Sequence, residues 1–292
     1  METVAMYEAF AADESPGCSP TYNALARAVV ADDGLLALLE TLPERLRQPH
    51  LLFGALRWYD APLTTGWAVE HWPEVRAVLT TRRVQTNEPG RCALLLPALA
   101  TLPEPLAVVE VGASAGLCLL YDRWAYDYDG TRVGSGPVTL RCSVTGGVPV
   151  PARVPEIAWR AGLDLNPLDP RDPDTRRWLE CLVWPEHEDR RTTLRGALHV
   201  AAQEPPRIVR GDLIRDLPAL LDEVPDDLTT VVTHTATLAY VDDAAREAFA
   251  GVCRERGVHR LGAEGHGEDF AVWLDGVRLA RAHAHGRWLA WL

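Results

Sequence analysis

The run Val108-Val109-Glu110-Val111-Gly112-Ala113-Ser114-Ala115-Gly116-Leu117 constrains the fold more than any other stretch of this chain. A short β-branched run meets an acid, breaks into a glycine-flanked turn and leads into the apolar segment Leu117 to Leu120. That order reads as strand, tight turn, helix. Glycines let a backbone turn sharply and approach a ligand closely, and the N–H groups opening a helix can hold one. Glu110 discriminates among the readings, because a carboxylate at the end of a buried strand is costly unless something satisfies it. Neither the Gly-x-Gly-x-x-Gly fingerprint of dinucleotide folds nor a Gly-Lys-Ser/Thr phosphate loop occurs.

The chain has 292 residues, enough for one large domain or two small ones with a substantial core. A formal charge of −12 argues against an unassisted nucleic-acid partner, which usually rests on a basic face. The acidic start Met1-Glu2-Thr3-Val4-Ala5-Met6-Tyr7-Glu8 has no apolar leader region, and no run has the length of a membrane span. Cys18, Cys92, Cys118, Cys142, Cys181 and Cys253 form no Cys-x-x-Cys pair. They read as reduced, mostly buried thiols of a cytoplasmic protein. His283-x-His285 with His266 lacks the carboxylate or thiolate company of a metal site, so no metal is expected. The tryptophans read as core and helix-packing residues.

Residues 1–105 read as a helical region or cap. Tyr22 to Val30, Leu35 to Leu42, Leu51 to Tyr59 and Cys92 to Leu102 carry apolar residues near helical spacing, punctuated by prolines. Residues 106–292 alternate strand and helix, with a Gly/Pro-rich insertion around 129–156 that reads as a hairpin or a long loop. Strands are expected at Ile157 to Leu165, Arg207 to Asp212, Leu228 to Thr233 and Val258 to Leu261. Helices are expected from Pro173, over Glu188 to Ala202, and over Ala244 to Arg256 with Gly257 closing it. Phe270 to Leu274, Asp275-Gly276 and Val277 to Ala282 spell a hairpin with a type I′ turn. The alternation predicts an α/β fold with a mostly parallel sheet and a C-terminal antiparallel hairpin.

The pattern Glu110-x-Gly112-x-x-x-Gly116 resembles that of Rossmann-like S-adenosylmethionine-dependent methyltransferases, which close with such a hairpin. In an open parallel sheet the ligand lies at the carboxyl ends of the strands, and four such ends carry Glu110, Asp164, Asp212 and His234. The resemblance implies that Glu110, Gly112, Ala113, Ser114 and Gly116 hold the methionine part of S-adenosylmethionine. It places Asp164 with Leu165 at the ribose and Asp212 with Leu213 at the adenine. Taken singly, Asp164 before Asn166-Pro167 is also a turn former, and Gly211-Asp212 also a helix start. His234, in Thr233-His234-Thr235, is the candidate catalytic group that orients or deprotonates a methyl acceptor; the alternative is a histidine bonded into a strand-end turn. Asn87, Glu88 and Arg91, with Thr233 and Thr235, are candidate pocket residues, although Asn87 and Pro89 also suit a helix start.

The same turn spells Gly-x-Ser-x-Gly, the nucleophile elbow of α/β-hydrolases, with Ser114 attacking and His234 or His266 as base. The helical texture before Val108 and the lack of a His-Gly-Gly run speak against it.

Gln85-Thr86-Asn87-Glu88, Gly112 to Leu117, Gly162-Leu163-Asp164-Leu165-Asn166-Pro167, Leu182-Val183-Trp184-Pro185-Glu186 and His285-Gly286-Arg287-Trp288-Leu289 together resemble domain of unknown function 2332. This bacterial family is common in actinobacteria, and the resemblance covers nearly the whole chain. It implies a methyltransferase-like fold and leaves the reaction open. The expectation is an S-adenosylmethionine-dependent methyltransferase acting on a small molecule. The alternatives are a serine hydrolase and a non-catalytic ligand-binding protein of the same fold. Oligomeric state is not legible.

Overall fold

Polar caps and prolines begin the first helices in the computed structural model, which describes residues 2–266 and 269–292. Helix α1 (Thr3–Ala9) runs into a π-helical turn at Phe10–Glu14. Helix α2 (Pro20–Val30) opens with Pro20, and Ser19 Oγ accepts the Tyr22 N–H at 3.1 Å. Helix α3 (Asp33–Glu40) is capped by Asp32, which accepts the Leu35 N–H at 2.9 Å. There follow α4 (Pro49–Trp58), α5 (Thr65–Glu70) and α6 (Trp72–Thr81). Helices α1, α5 and α6 went unread in the sequence because they are short and their apolar period is weak.

Helix α7 (Arg91–Leu99) is buried at every position, as an all-round apolar helix must be. It precedes β1 (Leu106–Val111), also buried throughout. The helix expected over Leu117 to Leu120 does not form. The segment makes two 3-10 turns, Leu117–Leu119 and Tyr121–Arg123. Side-chain donors take the carbonyls that a helix would use: Trp124 Nε1 bonds Leu117 O at 3.3 Å and Arg160 Nη1 bonds Leu119 O at 3.0 Å.

The expected insertion is a small sheet of its own. Strands β2 (Trp124–Tyr128), β3 (Thr131–Val133) and β4 (Val138–Arg141) pair in the order β3-β2-β4, and β5 (Ser143–Thr145) joins the edge of the main sheet. The chain continues through β6 (Ile157–Asp164), α8 (Pro173–Cys181), α9 (Glu188–Gln203), β7 (Ile208–Arg210) and α10 (Leu217–Leu221). Strand β8 (Thr229–Thr235), α11 (Asp243–Arg256), β9 (His259–His266), β10 (Asp269–Leu274), β11 (Val277–Ala282) and β12 (Trp288–Trp291) complete it.

The main sheet has the order β5-β12-β11-β10-β9-β8-β1-β6-β7. Pairing is parallel from β7 through β6, β1 and β8 to β9, then antiparallel through β10, β11 and β12. Asp275 and Gly276, at φ 51° and 86°, make the turn between β10 and β11, as Asp-Gly predicts. The fold is therefore mixed α/β, with a large sheet that is parallel around β1.

The chain divides into two units, residues 1–86 with 173–192 and residues 87–172 with 193–292. The division falls at Thr86/Asn87, where the sequence pattern suggested residue 105, and α8 groups with the helical unit. In that unit Tyr7, Phe10, Tyr22, Leu35 and Phe53 pack with Trp178. In the sheet unit, Val109 and Val111 of β1 and Val232 of β8 pack with Leu217 and Leu221 of α10 and Phe249 and Cys253 of α11. Side chains alternate along a strand, so Glu110 and Thr233 point to the opposite face, where α7 supplies Cys92. Among the described residues, no helix is long and apolar enough to cross a membrane.

Candidate functional site

The order of the sheet reverses at β1: the chain moves to β6 and β7 on one side, then to β8 and β9 on the other. Carboxyl ends at such a reversal diverge and leave a crevice where open α/β sheets bind ligands. The residues singled out in the sequence divide sharply in how they stand around this point.

The Gly112–Gly116 turn is left-handed at Gly112 (φ 72°), Ser114 (φ 52°) and Gly116 (φ 73°). Its donors are already engaged. The N–H groups of Gly112 and Ala113 bond Leu163 O, and that of Gly116 bonds Ala113 O. The Ser114 N–H bonds Asp164 Oδ2 at 2.8 Å, and the Ala115 N–H bonds Asn87 Oδ1 at 3.0 Å. A Cβ on Gly112 would stand 2.3 Å from Thr237 Oγ1, and one on Gly116 would stand 2.4 Å from Pro206 Cγ. The glycines make room for neighbouring protein side chains. Asn87 Nδ2 also donates to Ser114 Oγ at 2.5 Å. A donor cannot take a proton, so this contact does not activate the serine.

Asp164 ends β6 with both carboxylate oxygens in use, Oδ2 on Ser114 and Oδ1 accepting the Asn166 N–H at 2.7 Å. Leu165 beside it is 65% exposed. Asp212 accepts the N–H groups of Ile214 and Arg215 at 2.9 and 3.0 Å, an Asx-type cap of its own turn. Leu213 packs against the core under α10.

His234 lies on the α11 face of the sheet, opposite Glu110. Its Nδ1 is 2.8 Å from Glu264 Oε1, and its ring meets Phe249 edge-on at 5.4 Å. Glu264 Oε1 also accepts the Thr237 N–H at 3.0 Å. Gly262 is glycine for this ring, since a Cβ there would stand 2.2 Å from His234 Cε1. Strand register brings these residues together, and neither Glu264 nor Gly262 carried a signal of its own in the sequence. The side chain of His266, the other base considered, lies outside the described residues.

On the α7 face the polar residues before that helix converge on the strand ends. Arg91, 5% exposed, donates from Nε to Ala284 O at 2.9 Å and from Nη1 to Thr235 O at 3.1 Å. Glu88, 6% exposed, accepts the Gly90 N–H, and its Oε2 is 3.5 Å from His285 Nδ1. Asn87, Glu88 and Arg91 therefore reach the turn after β1, the end of β8 and the loop between β11 and β12. Glu110 is buried beneath them and its Oε2 has no hydrogen-bond partner. Burial, reinforced by nearby Cys118 and Asp164, pushes its carboxyl well above the usual range against the opposing pull of Arg91. Thr233, its cross-strand neighbour, stands on the same face with its hydroxyl beside that of Tyr121. Tyr121 and Cys118, which the sequence did not mark, complete this layer.

No curated protein and no solved structure matches the chain. One family model does, that of an uncharacterised protein conserved in bacteria, over residues 59–291, which include α5, α6 and α8 of the helical unit and every strand from β1 to β12. A match of that extent, reaching from Tyr59 through the turn after β1 to the last strand, means that this chain belongs to the DUF2332 family.

Proposed function

We propose that the sheet unit binds a small molecule at the carboxyl ends of β1 and β8, against Glu88, Arg91, Ser114 and Thr235. The observation that carries this reading is the reversal of strand order at β1, with the buried Glu88 and Arg91 gathered over that point. Burying Arg91 and Glu88 is costly, and structural capping of α7 needs neither charge.

S-adenosylmethionine, to which the sequence resemblance points, is the first ligand to test. The Gly112–Gly116 turn does not fit as its cradle. Its N–H groups are bonded within the protein, its glycine faces are filled by Thr237 and Pro206, and no α-helix follows it. Asp164 and Asp212 are committed to backbone N–H groups. No methyl-transfer step is therefore derived, and the reading supported best is ligand binding at the strand ends.

The test is calorimetric titration with S-adenosylmethionine and S-adenosylhomocysteine, followed by a thermal-shift screen of small metabolites. A ligand of this site binds wild type and loses at least tenfold in affinity with Glu88→Gln or Ser114→Ala. Ligands whose affinity ignores both substitutions, or a screen with no ligand, would refute the reading.

A further inference from the structure

The layer between α7 and β1 holds two cysteines that ligand binding at the strand ends does not use. Cys92 stands in the first turn of α7, and Cys118 in the first 3-10 turn after β1. Each thiol reaches into the other's segment. Cys92 Sγ donates to Leu117 O, next to Cys118, at 3.8 Å. Cys118 Sγ donates to Glu88 O, one turn before Cys92, at 3.5 Å. The two thiols also lie within hydrogen-bonding reach of each other. The fold thus sets sulfur beside sulfur across a stretch of chain that holds the whole of β1.

Their surroundings make the two sulfurs unequal. Cys118 keeps 6% exposure and Cys92 none. The bond from the Cys92 thiol, helped by the Arg91 guanidinium, holds the Cys118 thiol below its ordinary range. Burial pushes that of Cys92 well above it. The thiolate is the attacking form, so Cys118 is the sulfur that reacts first and Cys92 the one that follows. Cys142, Cys181 and Cys253 are buried as well, with thiols pushed up to about 12, about 11 and about 11, and none of them senses a second thiol. A buried thiol by itself is inert, whereas a pair in contact has a sulfur to close onto.

We propose that Cys92 and Cys118 are a reversible dithiol–disulfide couple, closed by a peroxide and reopened by a thiol reductant. The Cys118 thiolate attacks one peroxide oxygen, the O–O bond breaks, and the released hydroxide takes up the thiol proton and leaves as water. The Cys92 sulfur then attacks the Cys118 sulfenic acid. The S–S bond forms, the S–O bond breaks, and hydroxide leaves with the Cys92 proton as a second water. The two electrons given up by the thiols reduce the peroxide. The closed bond staples the start of α7, where Glu88 and Arg91 lie, to the 3-10 turn that follows Ser114.

Trypsin releases both sulfurs in one peptide, because neither arginine nor lysine lies between Arg91 and Arg123. The native full chain is treated with hydrogen peroxide, quenched in acid, alkylated with N-ethylmaleimide in urea, digested and weighed. Peptide 92–123 should carry no label and be lighter by two hydrogens, at peroxide levels that leave Cys142, Cys181 and Cys253 labelled. Dithiothreitol before alkylation should restore both labels. In Cys92→Ala the reaction should stop at the sulfenic acid, which dimedone traps on Cys118; a folded variant without that adduct overturns the assignment. The wild-type peptide decides by itself if the variant does not fold. Both labels retained after peroxide overturn the proposal. So does Cys118 carried to the sulfinic acid with Cys92 still labelled, or closure only where the single buried cysteines are oxidised too.

Discussion

Replacing Asp164 by alanine separates an anchoring role from a ligand-binding one. Its carboxylate accepts two backbone N–H groups, that of Ser114 at 2.8 Å and that of Asn166 at 2.7 Å, from a half-buried position. Hydrogen bonds to a charged group contribute about 1.5–3 kcal/mol each. Partial exposure lets water replace part of each bond, so the lower figure applies to both and their loss costs about 3 kcal/mol. Against this, Ser114 is held at φ 52°, and a released turn recovers about 1 kcal/mol of left-handed strain. Asp164→Ala should therefore destabilise the sheet unit by about 2 kcal/mol, or about 0.7 M in the urea midpoint at a slope of about 3 kcal/mol/M. Asp164→Asn keeps an acceptor and should lose about half as much. Urea titration followed by tryptophan fluorescence and far-ultraviolet circular dichroism measures both. A loss below about 0.5 kcal/mol, the range of ordinary surface changes, would refute the anchoring argument. It would also return the carboxylate to a ligand.

Gly262→Ala drives a methyl group into the His234 ring, whose Cε1 would be 2.2 Å away, and should cost about 2–3 kcal/mol in chemical denaturation. Unchanged stability would mean that the ring is not wedged against that backbone. Gly257→Ala meets no atom within 4 Å, so only its left-handed conformation (φ 62°) is strained. It should cost about 1 kcal/mol, and a loss as large as that of Gly262→Ala would contradict this account of both glycines. In the helical unit, burial holds the His50 imidazole down at about 4, from an ordinary 6.5. The folded form thus binds its proton at lower pH than the unfolded chain. The stability this contributes is complete above pH 6.5 and is lost as pH falls toward 4. His50→Phe should flatten that part of the stability profile, and an unaltered profile would place the titration elsewhere.

Much of the secondary structure was legible because its signals are local. The β-branched run of β1, the Asp-Gly turn between β10 and β11 and the Gly257 cap each depend on a few adjacent residues. The helix expected after Gly116 failed for a non-local reason, the indole of Trp124 and the guanidinium of Arg160 competing for its carbonyls. The helical reading ran on to residue 105 because α7 has the same apolar spacing as the helices before it, although it packs against β9 and β10. Of the candidate site, the sequence marked Glu110, Asn87, Glu88 and Arg91 as residues needing an explanation. It did not reveal their partners in Ala284, Thr235 and His285, which lie more than a hundred residues away.

The sequence by itself determined that this chain is mixed α/β with a mostly parallel sheet after residue 106, that a carboxyl group is buried at the end of its first strand, and that it resembles DUF2332 proteins. Hydrophobic period and turn chemistry are written in neighbouring residues, so no contact map is needed to read them. Only the tertiary structure decided what the polar residues do. Asp164 anchors the turn after β1, His234 packs against Gly262 and Glu264, and Glu110 lies beside Thr233 with its Oε2 unbonded. Those outcomes follow from which strands lie side by side and in what register. Residues that meet across these parallel strands lie far apart in the chain, and no short-range pattern encodes the meeting.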